Sequence, residues 1–138
     1  MKTIVETLEL QHRSVEEEVT TLQRALVQGS LEHIRASLDR LETMLTGHLK
    51  LENTEFYPPL LAKAAGDPAH QTVSLFQQNL ARIGEGLLAF FRRWHGPLLH
   101  ERIEALKTDW AGILKLLEAR LRDEDQILHP IYRRLFAR

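Results

Sequence analysis

A chain of 138 residues that is 43% hydrophobic and 27% charged has the bulk of one soluble domain with one sizeable core. Its formal charge of −1, with acidic and basic residues interspersed, offers no basic field for nucleic acid and no like-charged tail. The lack of cysteine excludes disulfides, thiolate chemistry and cysteine-based zinc sites. "MKTIVETLELQHRS" lacks the apolar core of a signal peptide and no apolar run approaches membrane-spanning length, so a cytoplasmic chain with no membrane partner is expected.

Taken in chain order, the helix breakers divide residues 1–138 into four amphipathic stretches of a single domain. The first covers 3–28 and stops at Gly29-Ser30, where Ser30 is a good N-cap for the next helix. The second covers 30–57. Pro58-Pro59 should end or kink it, because proline removes a donor and clashes with the preceding turn. "AAGDP" then stops and restarts the chain, with Asp67 as cap and Pro68 in the first turn of a helix over 68–94. "WHGP" precedes the last helix, over 100–129. Strand-like alternation is absent and the connections are short, which predicts an all-α, up-down-up-down antiparallel four-helix bundle.

Each stretch carries a seam of 3,4 spacing. The first reads Val5, Leu8, His12, Val15, Val19, Leu22, Leu26, and the second Ile34, Leu38, Leu41, Leu45, His48, Glu52, Phe56. The third reads Val73, Phe76, Leu80, Ile83, Leu87, Phe90, Trp94, and is wholly apolar. The fourth reads Ile103, Leu106, Trp110, Ile113, Leu117, Arg120, Glu124, Ile127, Ile131. His12, His48, Glu52, Arg120 and Glu124 thus occupy core positions. His12 and His48 are each 18 residues from Ser30, so an antiparallel hairpin sets them level. Arg120 and Glu124 fall in the same half of the bundle. Buried charges are costly unless paired, so these groups must satisfy one another or something held between them.

"HLKLENTEFYP" and "RLRDEDQILHP" are the same pattern at an offset of 72 residues, with Arg120 in the place of His48. Together with "LELQHRSVEEEV", they resemble the hemerythrin-like, or HHE cation-binding, family, whose signature runs His-x-x-x-Glu, an apolar pair, then Pro. The resemblance implies a bundle holding two irons bridged by carboxylates, one iron bound by histidines of the first two helices and the other by histidines of the last two. Carried over residue by residue, His12, His48, Glu52 and Glu124 match. The third helix offers only Val73, Phe76 and Leu80 near that height, flanked by Gln77 and Gln78, and the fourth-helix histidine is Arg120. All histidines of one iron are missing, which argues against a di-iron carrier.

The pattern admits two readings. In one, a single non-haem metal (Fe, Mn or Zn) is held by His12, His48, Glu52 and Glu124, and Arg120 fills the vacated half, binding the carboxylates' other oxygens in bidentate fashion. In the other no metal binds, and Arg120 pairs with both Glu52 and Glu124 within a network that includes the histidines. Function divides accordingly. The first reading implies a protein that senses or handles a small ligand such as dioxygen, nitric oxide or iron. The second implies a metal-free regulatory interaction module with a protein partner. "LLEARLRDEDQIL" is similar to the last helix of small bacterial regulators that bind the primary sigma factor. An enzyme is not expected, since no nucleophile–base pair or phosphate-binding loop is visible. The glycines of "RIGEGLL" are expected to permit close helix packing.

The remaining polar residues read as surface. Asp125, Asn53 and Glu55 are assigned to solvent, and "RSVEEEV" to a solvated helix face. His33, His70, His95, His100 and His129 sit at helix starts, turns or the motif's end and read as solvated, with His129 suited to capping carbonyls. Phe76, Phe90, Phe91, Trp94 and Trp110 read as core packing. Leu10 and Leu60 are taken as exposed, available to a homodimer or left bare on a monomer.

Overall fold

The computed structural model describes residues 2–137, and all of its regular structure is helical. Helix α1 (Ile4–Gln28) begins at Thr3, whose hydroxyl accepts from the Glu6 amide at 3.1 Å. It ends at Gly29, where φ is +72° and the amide donates to the Ala25 carbonyl. Only glycine reaches that left-handed conformation cheaply. Ser30 accepts from the His33 amide and opens α2 (Leu31–Leu51), so the capping expected from the sequence is present. After the turn at Gly66, the Asp67 carboxylate accepts from the Ala69 amide and α4 (His70–Arg93) starts. Gly96 turns the chain toward a short 3₁₀ segment (His100–Arg102) and α5 (Ile103–Asp123). Contacts of α1 with α2, α2 with α4, α4 with α5 and α5 with α1 close the four-helix ring.

The prolines act differently from expectation. The second bundle helix does not end near residue 57, nor the fourth near 129. Each passes through one widened turn, Glu52–Phe56 and Glu124–Leu128, and resumes as α3 (Tyr57–Ala64) and α6 (His129–Phe136). In these turns the Tyr57 amide donates to the Glu52 carbonyl and the His129 amide to the Glu124 carbonyl, an i→i−5 π-helical step. Pro58 and Pro130 then fall in the first turns of α3 and α6, where a missing N–H costs little. The extra residue has a second effect. In an unbroken α-helix, neighbouring residues point about 100° apart. Within the widened turns Phe56 and Tyr57 are both buried, as are Leu128 and His129.

The seam expectations are corrected accordingly. Ile127 is exposed and Leu128 takes the core position. Earlier on the same helix, Leu114 is buried and Ile113 only partly so. Leu60 is fully buried on the inner face of α3 and not exposed as its sequence context suggested; Leu10 is exposed. Glu18, assigned to a solvated face, is buried against α2, accepting from the Ser37 hydroxyl at 2.6 Å and from Arg40 Nε at 2.7 Å. Gly84 and Gly86 lie near Leu49 and Ile113, but an added Cβ would meet only ordinary van der Waals contact, so close packing does not require glycine there.

The apolar core comes in two blocks. The larger contains Val15, Leu22, Leu38, Leu41, Phe90, Leu106, Trp110 and Leu117, toward the Gly29 and Gly96 turns. The smaller contains Val5, Leu8, Phe56, Tyr57, Leu60, Val73, Leu80 and Leu128 at the other end. Between Leu8 and Val15 on α1, and between Leu45 and Phe56 on the second bundle helix, the sequence places His12, His48 and Glu52. The polar layer therefore has apolar material above and below it.

Candidate metal centre

The structure brings together all five residues singled out by the sequence. His12, His48, Glu52, Arg120 and Glu124 are each at most 4% exposed. The level match of the first two helices holds: His12 Nε2 and His48 Nε2 are 3.1 Å apart. His12 Nε2 lies 2.9 Å from Glu124 Oε1, His48 Nε2 lies 3.7 Å from the same oxygen, and His48 Nε2 also touches Glu52 Oε1. One ligand atom from each of these four residues lies within 4.8 Å of the other three.

The outer edges of both imidazoles are already engaged. His12 Nδ1 is 2.9 Å from Asp125 Oδ1, and a carboxylate there can only accept, so Nδ1 carries the proton. His48 Nδ1 is 2.8 Å from Gln11 Oε1. Partners of this kind fix a metal-binding imidazole with its Nε2 lone pair facing inward. The carboxylates are under-satisfied to match: both Glu52 oxygens and Glu124 Oε1 are buried with no hydrogen bond of acceptable geometry. Four potential ligand atoms are thus gathered in one small buried layer. A dication fits that arrangement, and two imidazoles with two carboxylates suit Fe(II), Mn(II) or Zn(II).

The profile of the hemerythrin HHE cation-binding domain matches residues 3–132. The chain belongs to this family. No curated protein and no solved structure matches it.

Within this hemerythrin-like bundle, Arg120 behaves differently from the sequence expectation. It is not bidentate on the carboxylates and does not bond Glu52. Its Nε donates to Glu124 Oε2 at 2.8 Å, its Nη2 donates to the Tyr57 hydroxyl, and its Nη1 has no partner. Tyr57, buried just after the widened turn, takes the Nη2 corner of the guanidinium. The Phe76 ring covers the guanidinium from α4 at 4.9 Å. No α4 side chain joins the cluster of potential ligands, as its apolar seam indicated.

Besides Gln11 and Tyr57, sequence reasoning missed two further residues. Asp125, assigned to solvent, is half-buried and binds His12. His129 is almost fully buried. Its ring stacks on that of His12 with centroids 5.6 Å apart, and its Nδ1 lies 3.2 Å from Asp125 and 3.3 Å from Glu9 Oε2. Arg133 closes this chain of contacts at the surface, 2.8 Å from Glu9 Oε1. A signal for it exists in the sequence. His129 stands 72 residues after Tyr57, at the same step of the repeated motif, and a core tyrosine there implies a core residue here.

The electrostatics of the metal-free chain arise from this crowding. Burial alone would depress His48, but its contacts with Glu124 and Glu52 outweigh it and raise the imidazole to about 9. His12 is raised on balance for the same reason, chiefly through Glu124. Burial and the neighbouring Glu124 charge push Glu52 upward. Burial also opposes ionisation of Glu124, yet the close approach of His12 and His48 and the Arg120 charge hold it well below the usual carboxylate range. His129 is lowered by burial and by His12.

Proposed function

We propose that this chain holds a single non-haem divalent metal, Fe(II), Mn(II) or Zn(II), on His12 Nε2, His48 Nε2 and the carboxylates of Glu52 and Glu124. The observation that carries the reading is the inward convergence of four ligand atoms while both Nδ1 atoms are engaged outward by Asp125 and Gln11. Arg120 supplies the positive charge beside Glu124 that a second metal would otherwise supply. When bound, the metal offers a Lewis-acidic position to a small ligand such as dioxygen or nitric oxide. The chain's own residues bind and orient. Asp125 and Gln11 hold the two imidazoles, Arg120 and Tyr57 fix the Glu124 carboxylate, and the two apolar blocks keep bulk water from the layer. A binding or sensing role fits this set better than catalysis, because no nucleophile stands beside a base.

A second reading is a metal-free interaction module. It is favoured by Arg120, whose bond to Glu124 Oε2 already gives one carboxylate a permanent counter-charge. In that case a proton on His48 Nε2 supplies the positive charge, donating to Glu52 Oε1 beside Glu124. Metal analysis of protein expressed with iron or manganese separates the two. Near-stoichiometric metal in the native chain, lost in His48→Ala, supports the proposal. Trace metal that is the same in both proteins leaves the interaction module, whose partner should then be retained in the presence of chelator.

A further inference from the structure

We propose that the cleft between α4 and α5 is a binding site for a small organic carboxylate, whose oxygens take the free corner of the Arg120 guanidinium. The cleft has a volume of ≈ 250 Å³, and Arg120 lines it together with Leu75, Phe76, Asn79, Ile83 and Asp123, with Leu116 at the rim. Arg120 is 4% exposed and uses Nε on Glu124 and Nη2 on Tyr57, yet its Nη1 is buried without a partner. A guanidinium nitrogen only donates, so what completes it must be an acceptor. Its planar fork matches a carboxylate.

The rest of the cleft narrows the class. Leu75, Phe76, Ile83 and Leu116 give apolar walls, which call for an apolar body behind the acidic head. Asn79 offers an amide donor on the α4 side. Glu124 beside Arg120 and Asp123 in the lining both disfavour a polyanion such as phosphate, while Arg120 repels a cation. A monoanion with an apolar body meets the free Nη1 donor and the apolar walls while keeping repulsion from Glu124 and Asp123 smaller than a polyanion would. Phe76 lies over the guanidinium and is only partly buried, so it acts as the lid that must turn aside for the head to reach Nη1. The inference does not depend on a metal, because the Nη1 donor is unpaired in the chain as it stands.

Benzoate is the probe, titrated into the chelator-treated full chain and followed by calorimetry and by shifts of α4 and α5 amide resonances. Saturable one-to-one binding is expected, with benzyl alcohol weaker by at least about tenfold because it lacks the charged acceptor. Arg120→Gln should weaken benzoate by a similar factor. Should that variant fold poorly, Leu116→Glu, at a side chain 55% exposed on the cleft rim, tests the same site without disturbing the core. It should also weaken binding about tenfold, while Asp123→Asn should strengthen it. Benzoate that does not saturate, benzyl alcohol that binds as tightly, unchanged binding in Leu116→Glu, or binding seen only after metal loading would each overturn the proposal. Metal content measured on the same preparations keeps its failure separate from that of the metal centre.

Discussion

Seventy-two residues separate His48 from Arg120, Glu52 from Glu124 and Tyr57 from His129, and each pair occupies the same station on its own bundle helix. The backbone treats the two stretches alike, with an α-helix, a widened turn beginning at the glutamate, and a proline after it. The chemistry differs. On the second bundle helix His48 turns its Nε2 to the centre, and on the fourth Arg120 presents a cation. The aromatic partners cross over: Tyr57, from the histidine repeat, bonds Arg120, while His129, from the arginine repeat, stacks on His12. One backbone device thus serves two kinds of half-site, and the residue four positions before the glutamate decides which. On the proposed reading, a histidine there leaves room for a metal cation; an arginine brings the cation with it.

That comparison is broken most severely by removing the built-in cation. Arg120→Ala leaves Glu124 Oε2 without its partner, and the Tyr57 hydroxyl as well, in a layer closed by apolar blocks on both sides. Removing one member of a buried pair costs about 3–5 kcal/mol, which denaturant melts of the metal-free chain would show as a lower midpoint with an unchanged slope. Arg120→His sharpens the same contrast by making the repeats match. It should lower the stability of the metal-free chain by a comparable amount, and added Fe(II) should recover part of the loss. A variant as stable as the native chain would mean that the Arg120–Glu124 pair contributes nothing net.

The bundle and the polar layer were legible because both rest on helical periodicity. Seams of 3,4 spacing give four faces, and equal distance from Ser30 sets His12 beside His48. What periodicity could not show was the one-residue slip at each glutamate. Pro58-Pro59 read as an end or kink of the second helix, and the fourth reads as ending at residue 129, just before Pro130. In fact a widened turn absorbs them, and that slip buries Tyr57, Leu128 and His129 together while turning Ile127 outward. The roles of Asp125, His129 and Tyr57 depend on the slip, so they were lost with it. Glu18 was missed for a different reason. Its partners Ser37 and Arg40 lie on the next helix, and a charged residue within "RSVEEEV" shows its burial only once that helix is docked.

The His12 side of the layer is tested by its outer support. Asp125 holds His12 Nδ1 and touches His129, while Arg120 on the fourth bundle helix has a comparable hold from Tyr57 of the second. Asp125→Ala frees the His12 ring to rotate and to take the other tautomer. Loss of such a support costs roughly 10–100-fold in metal affinity. Competition with a chromophoric chelator measures that directly, and circular dichroism should show the fold intact, because Asp125 is only half-buried. A change of less than about twofold would place the orienting force elsewhere, in the stacking of His129 on His12.

The effect whose sign separates the two readings is the response to pH. In the metal-free chain His48 is raised from 6.5 to about 9. A group whose folded value is raised stabilises fully below its unfolded value and loses that contribution as pH climbs through the folded one. Glu52, also raised, acts in the same direction at lower pH. The metal-free chain should therefore melt at a lower temperature at about pH 9 than at about pH 6. A metal reverses this trend. It needs the Nε2 lone pair of His48, so binding expels the proton that the free chain holds there, and apparent affinity rises with pH. Melting curves with and without Fe(II), run anaerobically across that range, should diverge as pH increases. Parallel curves would show that the metal does not compete for His48, and would leave the proton as the sole occupant of the layer.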